Sequence, residues 1–381
     1  MISRVIIIGG HIQALGIARQ AHQLGIDVIL YLTESFSVAR WSNAVSHTIH
    51  GTLDTFINDI SAYRNSNTLI IPTGDDAIVF LNSHRTELSD NYVLEIPNDT
   101  IITTFGDKRK TANFTQKHGI PHPKCFCPNT IEELASEASN LTYPVVLKPS
   151  VMYTFHRIFG KKAFLCSTSV ELINKAKAIS KQFPINQLIV QEFLKGGPKH
   201  LYSYGVYAVD GIPIVWIVAN RIRQNPMDFG NSTTFAITCN IPEVEKTAKK
   251  LLSITNYTGF AEIEFMYNKH SNRYELLEVN TRLWKWHNIS MKCGFGFFET
   301  MLCHMNGKLP TYTPSSQPAA WVERLTDTAI IINETLHHRM SLRTAIASYK
   351  TDKQSAVWSV KDPIPAIIYL LLSPILFFTR H

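Results

Sequence analysis

One short segment, residues 259–282, constrains the fold of this 381-residue chain more than any other. It reads GFAEIEFMYNKHSNRYELLEVNTR, and two runs rich in β-branched and aromatic residues flank the polar cluster NKHSN at 268–272. Such runs, separated by turn-forming residues, are typical of a β-hairpin with a longer loop. The segment therefore predicts two antiparallel strands with a turn centred near residue 271.

The two faces of this hairpin differ in chemistry, because side chains along a strand alternate between faces. The predicted core face carries Ala261, Ile263, Phe265, Tyr267, Leu277 and Val279. The other face carries Glu262, Glu264, Glu278, Asn280 and Arg282, and the turn brings Glu264 opposite Glu278. Oxygen ligands of this kind suit Mg²⁺, which takes one or two carboxylates and leaves its other positions to water and phosphates. The residues alone leave two interpretations open: a metal site, or a half-exposed hairpin with acids on its wet face.

The start of the chain has the pattern of a parallel sheet. Residues 5–10 (VIIIGG) predict a strand and a glycine turn, residues 11–24 a helix, and residues 25–31 a second strand, which together make a βαβ unit. The glycines at 9, 10 and 16 do not form G-x-G-x-x-G, which disfavours a dinucleotide site. A further strand ends before TGDD at 73–76, where ligands collect in parallel sheets. Asp75 and Asp76 there either cap the next helix or contact a substrate.

Composition favours a soluble, cytoplasmic protein. A hydrophobic fraction of 45% provides core for two or three domains. The net charge of +7 permits nucleotides, anionic substrates or a membrane surface as partners, whereas the lack of a basic stripe with interleaved aromatics argues against nucleic acid. Six cysteines without zinc-site spacing are interpreted as reduced thiols. The chain enters a strand directly, which argues against a signal peptide.

The hairpin resembles the metal-binding signature of the ATP-grasp superfamily. In that family an acidic residue on one strand and an E-x-N on the next hold the magnesium ions of ATP. The resemblance implies Glu264, Glu278 and Asn280 as ligands of Mg²⁺ or Mn²⁺. It also implies an α/β protein, α+β in its catalytic part, with an ATP-grasp fold behind an N-terminal Rossmann-like pre-ATP-grasp domain.

Three more motifs resemble family landmarks in the expected order. Residues 106–108 (GDK) resemble the start of the ATP-grasp region, and residues 143–149 (YPVVLKP) resemble the strand whose lysine touches the α- and β-phosphates. Residues 188–194 (LIVQEFL) resemble the adenine-binding linker. The resemblance thus implies that the nucleotide is bound by Lys108, Lys148, Gln191, Glu192, Phe193 and Leu194.

A fifth stretch indicates a subgroup. Residues 219–230 (ANRIRQNPMDFG) resemble the R-x-R-Q-x-P-x-x-F-G stretch of carboxylate–amine ligases, which include D-aspartate ligases. This resemblance implies an enzyme that uses ATP to activate a small carboxylate as an acyl phosphate and joins it to an amine. Guanidinium groups recognise such charge bidentately, which gives Arg221, Arg223 and above all Arg282 predicted roles at that site. The next segment, residues 284–287 (WKWH), either walls the substrate pocket or packs in the core.

The chain departs from the family pattern in two places. Where relatives have a glycine-rich loop over the phosphates, residues 150–161 contain only one glycine, Gly160, together with Tyr153, Phe155, His156 and Arg157. Residues 196–199 (GGPK) replace an acid that many relatives place on the ribose. Two alternatives therefore stay open: a kinase or carboxylase acting on another acceptor, or a nucleotide-binding module without turnover.

The motif order predicts four segments, and the last is the least clear. They are a pre-ATP-grasp domain at 1–103, an N-lobe at 104–187, a C-lobe with the metal site at 188–309, and a tail at 310–381. The tail contains PIPAIIYLLLSPILFFT, 17 uncharged residues interrupted by proline, at the lower limit for crossing a bilayer. We expect core packing, a partner-binding tail or peripheral contact with anionic lipid, rather than a spanning helix.

Overall fold

The computed structural model describes residues 1–151, 155, 158–227, 230, 232–308 and 317–379. The chain forms two compact units, each built from discontinuous segments. Unit 1 comprises Met1–Asp99, Gly197–Glu262 and Asn280–His381, and unit 2 comprises Thr100–Gly196 and Ile263–Val279. The four segment boundaries suggested by the motif order stay a prediction.

Unit 1 opens with a parallel sheet. Its strands are β1 (Arg4–Ile8), β2 (Asp27–Leu32), β3 (His47–His50), β4 (Thr68–Pro72) and β5 (Val93–Leu94), in the order β3-β2-β1-β4-β5. Its helices are α1 (Ile12–Gln23), α2 (Phe56–Asp59), α3 (Asp75–Ser83) and α4 (Arg85–Ser89). Strands β1, β2 and β4 are almost wholly buried, as parallel strands covered on both faces are. The predicted βαβ unit is confirmed, because β1 pairs with β2 in parallel.

Unit 2 contains a four-stranded antiparallel sheet. Four helices precede or accompany it: α5 (Asp99–Gly106), α6 (Lys108–Lys117), α7 (Ile131–Glu137) and α8 (Ser169–Ser180). Its strands are β6 (Cys125–Phe126), β7 (Val145–Pro149), β8 (Phe164–Cys166) and β9 (Leu188–Glu192), in the order β6-β9-β7-β8. Side-chain caps begin the helices α6, α7 and α8, from Asp107, Thr130 and Thr168. Each cap accepts a hydrogen bond from an otherwise unpaired backbone N–H of the first turn, which stabilises the helix start.

A third, seven-stranded sheet follows in the chain. Its strands are β10 (Leu201–Val209), β11 (Ile212–Asn225), β12 (Ser232–Thr238), β13 (Gly259–Asn268), β14 (Arg273–Asn280), β15 (Ala319–Val322) and β16 (Asp352–Ser355), in the order β14-β13-β10-β11-β12-β15-β16. The remaining helices described are α9 (Pro242–Thr255), α10 (Phe297–Met305), α11 (Arg324–Leu336), α12 (Leu342–Ser348) and α13 (Ile364–Thr379). Strands β13 and β14 confirm the predicted hairpin.

Each unit has its own apolar core. In unit 1, Trp284 and Trp286 are both 1% exposed, and their ring centroids lie 5.5 Å apart. Trp284 also meets Phe297 edge to face at 4.9 Å. The two tryptophans of the WKWH segment therefore pack in the core. In unit 2, Phe155 is fully buried against Phe183, with ring centroids 5.1 Å apart.

The apolar tail segment forms helix α13. Just before it, the buried Asp362 accepts hydrogen bonds from Arg19 Nε at 2.8 Å and Ser42 Oγ at 2.6 Å, which attaches the start of the helix to unit 1. Tyr369 packs on the core of unit 1, whereas the outward residues Ile367 and Leu370 are exposed. Among the helices that the structure describes, none combines the length and hydropathy needed to cross a bilayer.

Candidate functional site

A cavity in unit 2 brings together residues from four of the sequence motifs. Its volume is about 30 Å³. It is lined by Lys108 of the GDK motif, Lys148 of the YPVVLKP strand, Gln191 of the LIVQEFL linker and Leu276 and Leu277 of the hairpin, together with Cys125. The four motifs thus meet at one place.

Lys108 is presented by the start of helix α6. The Asp107 side chain caps this helix and accepts a hydrogen bond from Arg109 N at 2.8 Å. The Lys108 backbone N–H donates to Ser150 O at 3.0 Å, and the Lys108 ammonium group donates to Glu278 Oε1 at 2.9 Å. Lys108 therefore reaches the hairpin within unit 2. The aspartate of the GDK motif was not selected by sequence reasoning, although an acid directly before a helix is a common capping signal.

Lys148 has an unusual electrostatic environment on strand β7. Burial of its ammonium group, followed by repulsion from Lys108, lowers the pKa of Lys148 to about 8, against a smaller opposing effect of Glu278. Burial likewise raises the pKa of the nearby Cys125 thiol to about 11, so this thiol is neutral at pH 7. The ammonium groups of Lys108 and Lys148 thus both lie near the carboxylate of Glu278. A polyanion in this cavity would relieve both the desolvation and the repulsion.

The linker residues form the end of strand β9. Gln191 lines the cavity and pairs with Cys125 on β6 and Val146 on β7. The backbone N–H of Glu192 donates to Lys124 O at 2.8 Å, and that of Phe193 donates to Pro144 O at 3.2 Å. Leu194 is buried, whereas Glu192 and Phe193 are partly exposed. This pairing holds the linker between its two neighbouring strands in unit 2.

A side-chain contact joins the two strands of the hairpin at the end away from the turn. Asn280 Nδ2 donates to Glu262 Oε2 at 3.3 Å, so these two residues lie across the hairpin from each other. Residues 262 and 280 are symmetric about residue 271, as are Glu264 and Glu278. Sequence reasoning expected a wet face here, yet Glu262 is only 5% exposed. The cost of burying this carboxyl group is offset by a second hydrogen bond, which it accepts from Nε1 of the core residue Trp286 at 3.0 Å.

The donor set is compatible with a divalent cation. Glu264 and Glu278 are partly exposed, and the Glu278 carboxylate already holds the cationic group of Lys108. Within the described residues, no group of three or more His, Cys, Asp or Glu side chains forms a metal cluster. The predicted ligands are two carboxylates and one amide, so a search for clusters of His, Cys, Asp and Glu does not test them. Their role as metal ligands stays a prediction.

Arg282 pairs with the end of the parallel sheet. Its Nε donates to Asp75 Oδ1 at 2.6 Å, and Asp75 is 73% exposed while Arg282 is 15% exposed. Asp76 accepts a hydrogen bond from the backbone N–H of Ala77 at 2.8 Å, within the first turn of α3. Asp76 therefore lies within the first turn of α3 rather than at its N-cap, which is Gly74, and Asp75 holds the Arg282 guanidinium. Contact of either acid with a substrate stays a prediction.

Arg221 and Arg223 lie inside unit 1. Arg223 is 1% exposed and makes a bidentate ion pair with the fully buried Asp327, with both N–O distances at 2.8 Å. Its guanidinium also lies 4.2 Å from the ring centroid of Phe235. Arg221 is 3% exposed and donates to Gln224 Oε1 at 3.5 Å. The role of Arg223 in holding β11 to α11 competes with its predicted role in catalysis.

Several residues named in the sequence analysis lie outside the described residues. They are Tyr153, His156 and Arg157 of the 150–161 segment, and Asp228 and Phe229 of the 219–230 stretch. Phe155, which belongs to the same segment as the first three, is a core residue of unit 2.

Comparison with known proteins decides the family. Residues 107–303 match the family model for the carbamoyl-phosphate synthase L chain, ATP binding domain. The chain belongs to this ATP-grasp family. The matched region begins at Asp107, the cap of α6, and includes the four motifs that indicated the family from the sequence, apart from Gly106 at the start of the first.

Relatives of this ATP-grasp protein agree with that assignment. A D-aspartate ligase of Enterococcus faecium (strain Aus0004) is 24% identical over 230 residues, which cover 58% of this chain and 54% of the ligase. This chain therefore spans about half the length of that curated relative.

Solved structures confirm the predicted ATP-grasp fold. An N5-carboxyaminoimidazole synthetase from Staphylococcus aureus, complexed with ADP, matches with a TM-score of 0.68 at 14% identity, covering 88% of this chain and 86% of that one. The biotin carboxylase domain of a Hydrogenobacter thermophilus 2-oxoglutarate carboxylase, in complex with MgADP, has a TM-score of 0.65 at 16% identity, with 84% and 73% coverage. At these identities the structural likeness shows the fold alone.

Proposed function

We propose that this protein is an ATP- and magnesium-dependent ligase that joins a small carboxylate to an amine. The observation that carries the proposal is the cavity in unit 2, where the ammonium groups of Lys108 and Lys148 both lie near the carboxylate of Glu278. Such a site is suited to the phosphates of a nucleotide. The similarity to a D-aspartate ligase supports carboxylate–amine ligation within the ATP-grasp family.

Each group of residues has a proposed role in nucleotide binding. Lys108 and Lys148 neutralise phosphate oxygens, and the linker residues 191–194 hold the adenine. Glu264, Glu278 and Asn280 would hold Mg²⁺ or Mn²⁺, which when bound supplies charge stabilisation at the triphosphate. A metal bound at Glu278 would compete with the Lys108 ammonium for that carboxylate, and Lys108 would then pair with a phosphate.

The proposed chemistry has two steps and needs no protein nucleophile. A carboxylate oxygen of the first substrate attacks the γ-phosphorus of ATP, the bond to the β–γ bridging oxygen breaks, and ADP leaves. The amine nitrogen of the second substrate then attacks the acyl carbon, phosphate leaves, and the ammonium proton passes to solvent. Arg282 is proposed to hold the acyl phosphate, because a guanidinium binds such oxygens bidentately. Arg221 and Arg223 are proposed in the same role with less support, since both are buried.

A substrate screen tests this function directly. Full-length protein with Mg-ATP is incubated with pairs of small acids and amines, and ADP and orthophosphate are measured. Release that requires both an acid and an amine supports the ligase. Release with bicarbonate or a single acceptor supports the carboxylase or kinase alternative. ATP binding without release under any pair supports the nucleotide-binding module.

The lysine pair makes ATP affinity sensitive to pH. Lys148→Ala and Lys108→Ala are each expected to weaken ATP binding at pH 7, measured by calorimetry, while the melting temperature stays near that of the wild type. Since Lys148 has a pKa of about 8 and binds phosphate only when protonated, the Kd of the wild type should rise as pH increases above 8. The limiting slope is about tenfold per pH unit for one required proton.

The Lys148→Ala variant is also the control for the pH effect, because it lacks the titrating group. Its Kd should stay nearly constant between pH 7 and 9. Unchanged affinity in both lysine variants would reject the phosphate site, and a pH slope that persists in Lys148→Ala would assign it to another group.

Arg282 offers a test of the chemical step. Arg282→Lys keeps the charge and can still pair with Asp75, yet it loses the planar fork. Turnover should fall by about a hundredfold through misplacement of the acyl phosphate, with ATP affinity nearly kept. The control is Arg40→Lys at an exposed arginine beside Trp41, which should be neutral. An Arg282→Lys enzyme as fast as the wild type would remove Arg282 from the acyl phosphate site.

The cellular location is proposed as cytoplasmic, with peripheral membrane contact through α13. Two observations support such contact: exposed apolar residues on this helix, including Ile364 and Leu371, and the net charge of +7. Co-sedimentation with anionic vesicles, compared with neutral vesicles of the same size, measures it.

A further inference from the structure

Glu262 is a buried acid without a role in the proposed chemistry. It lies on β13 and is only 5% exposed. Its two carboxylate oxygens face two different donors. Oε1 accepts from Trp286 Nε1 at 3.0 Å, and Oε2 accepts from Asn280 Nδ2 at 3.3 Å.

This contact decides which way the Asn280 amide faces. An asparagine side chain has a donor end, NH₂, and an acceptor end, the carbonyl oxygen, and the end that meets Glu262 Oε2 is Nδ2. Glu262 therefore engages the NH₂ end of Asn280. The carbonyl oxygen, at the other end of the amide, then points away from Glu262 Oε2.

Glu262 is itself held in place by the core. The indole N–H of Trp286 can only donate, so it fixes one carboxylate oxygen and leaves the other for Asn280. Trp286 is 1% exposed and packs against Trp284, which restricts the indole to one orientation. The chain of contacts thus runs from a rigid core residue, through a buried carboxylate, to the amide.

We propose that Glu262 is a positioning residue that orients the Asn280 amide so that its oxygen, and not its nitrogen, is offered to a divalent cation. Mg²⁺ binds oxygen ligands, and an amide turned the other way would present two N–H dipoles with their positive ends toward the cation. This inference rests on the proposed function, because it takes Asn280 as a metal ligand. It adds Glu262 and Trp286 to the residues on which metal binding depends, because together they fix the orientation of the Asn280 amide.

The substitution Glu262→Gln tests the orientation with almost no change in shape. Trp286 still donates to the glutamine oxygen, so the glutamine NH₂ takes the place of Oε2 and faces the NH₂ of Asn280. Two donors cannot pair, and Asn280 must turn its oxygen to Gln at 262 and its nitrogen to the metal. The apparent affinity for Mg²⁺ in the presence of ATP should fall by about tenfold to a hundredfold.

The readouts separate positioning from mere stability. Mg²⁺ affinity is measured by Mg²⁺-dependent thermal shift with saturating ATP, and metal-free ATP binding is measured by calorimetry in EDTA. We expect Glu262→Gln to lose the first and keep the second. A folded variant with wild-type Mg²⁺ affinity would overturn the proposal, even if its melting temperature were lower.

A second substitution should rescue the first. In Glu262→Gln with Asn280→Asp, one oxygen of the new carboxylate accepts from the glutamine NH₂ and the other is free for the metal. Mg²⁺ affinity should return to at least the wild-type level, and the satisfied hydrogen bonds should let this variant fold even if the single variant does not. A double variant that fails to fold, or folds without binding Mg²⁺, contradicts the proposal.

The outcome for the wild type keeps the two proposals apart. If the wild-type protein shows no Mg²⁺-dependent ATP binding, the proposed function fails. If it does, and Glu262→Gln and the double variant behave like the wild type, only the positioning role fails.

Discussion

Replacing Glu278 with glutamine is expected to reduce turnover by at least about a hundredfold while the protein stays folded. Glutamine keeps the shape but removes the negative charge that a metal ligand supplies, and it also removes the ion pair with Lys108. The Glu278 side chain is 40% exposed, so this pair contributes little to stability. ADP production and its dependence on Mg²⁺ concentration are the measurements.

The control for this experiment is Glu132→Gln, at an exposed glutamate of helix α7 in the same unit. It should leave turnover unchanged. Normal ADP production by a folded Glu278→Gln protein would contradict the metal assignment. If high Mg²⁺ restores the turnover of the Glu278→Gln variant, the substitution has weakened metal binding. If turnover stays low at every Mg²⁺ concentration, Glu278 acts only by holding Lys108.

Replacing Asp327 with alanine is expected to lower the free energy of unfolding by about 3–5 kcal/mol. Asp327 is fully buried and accepts two hydrogen bonds from Arg223, one from Thr234 Oγ1 at 2.9 Å and one from Tyr349 Oη at 2.7 Å. Its removal leaves the Arg223 charge buried and unpaired. Denaturant unfolding measures the change.

Two comparisons show whether the buried pair is responsible. Asp352→Ala removes an exposed partner of Lys292, so unfolding should hardly change. The double substitution of Arg223→Met and Asp327→Leu removes both charges, and it should be much less destabilising than Asp327→Ala because no unpaired charge remains. Equal losses in the single and double variants would show that packing, and not charge, dominates at this site.

The same pair bears on the catalytic role predicted for Arg223. A variant at this position that loses turnover together with stability does not establish a catalytic role. A catalytic role is supported only if turnover is lost in a protein that remains folded. The double variant of Arg223 and Asp327 allows this test, because it lacks Arg223 without leaving an unpaired buried charge.

The hairpin and the first βαβ unit could be predicted from the sequence, because each depends on residues that lie close together along the chain. The polar cluster at 268–272 marks the turn, and β13 ends at Asn268 while β14 begins at Arg273. The pairing of Glu264 with Glu278 about residue 271 stays a prediction. The βαβ unit at the start of the chain was equally local, because apolar runs, glycine turns and helical spacing are read within about 30 residues.

The family motifs extended this local information to the candidate site. Lys108 and Lys148 lie on the cavity in unit 2, as their shared resemblance to phosphate-binding positions suggested. The motifs could not say how the two ammonium groups interact. The lowered pKa of Lys148 depends on burial and on the approach of Lys108, which are properties of packing.

Sequence alone determined the hairpin, the parallel sheet at the start of the chain and the family, because periodicity and short motifs carry that information locally. Only the tertiary structure decided the partners of the charged groups: Lys108 with Glu278, Arg282 with Asp75 and Arg223 with Asp327 are separated by 170, 207 and 104 residues. It also placed Glu262 in the core, against the alternation that predicted a wet face. The physical reason is that a buried charge requires a partner, and chain packing rather than local pattern brings that partner within reach.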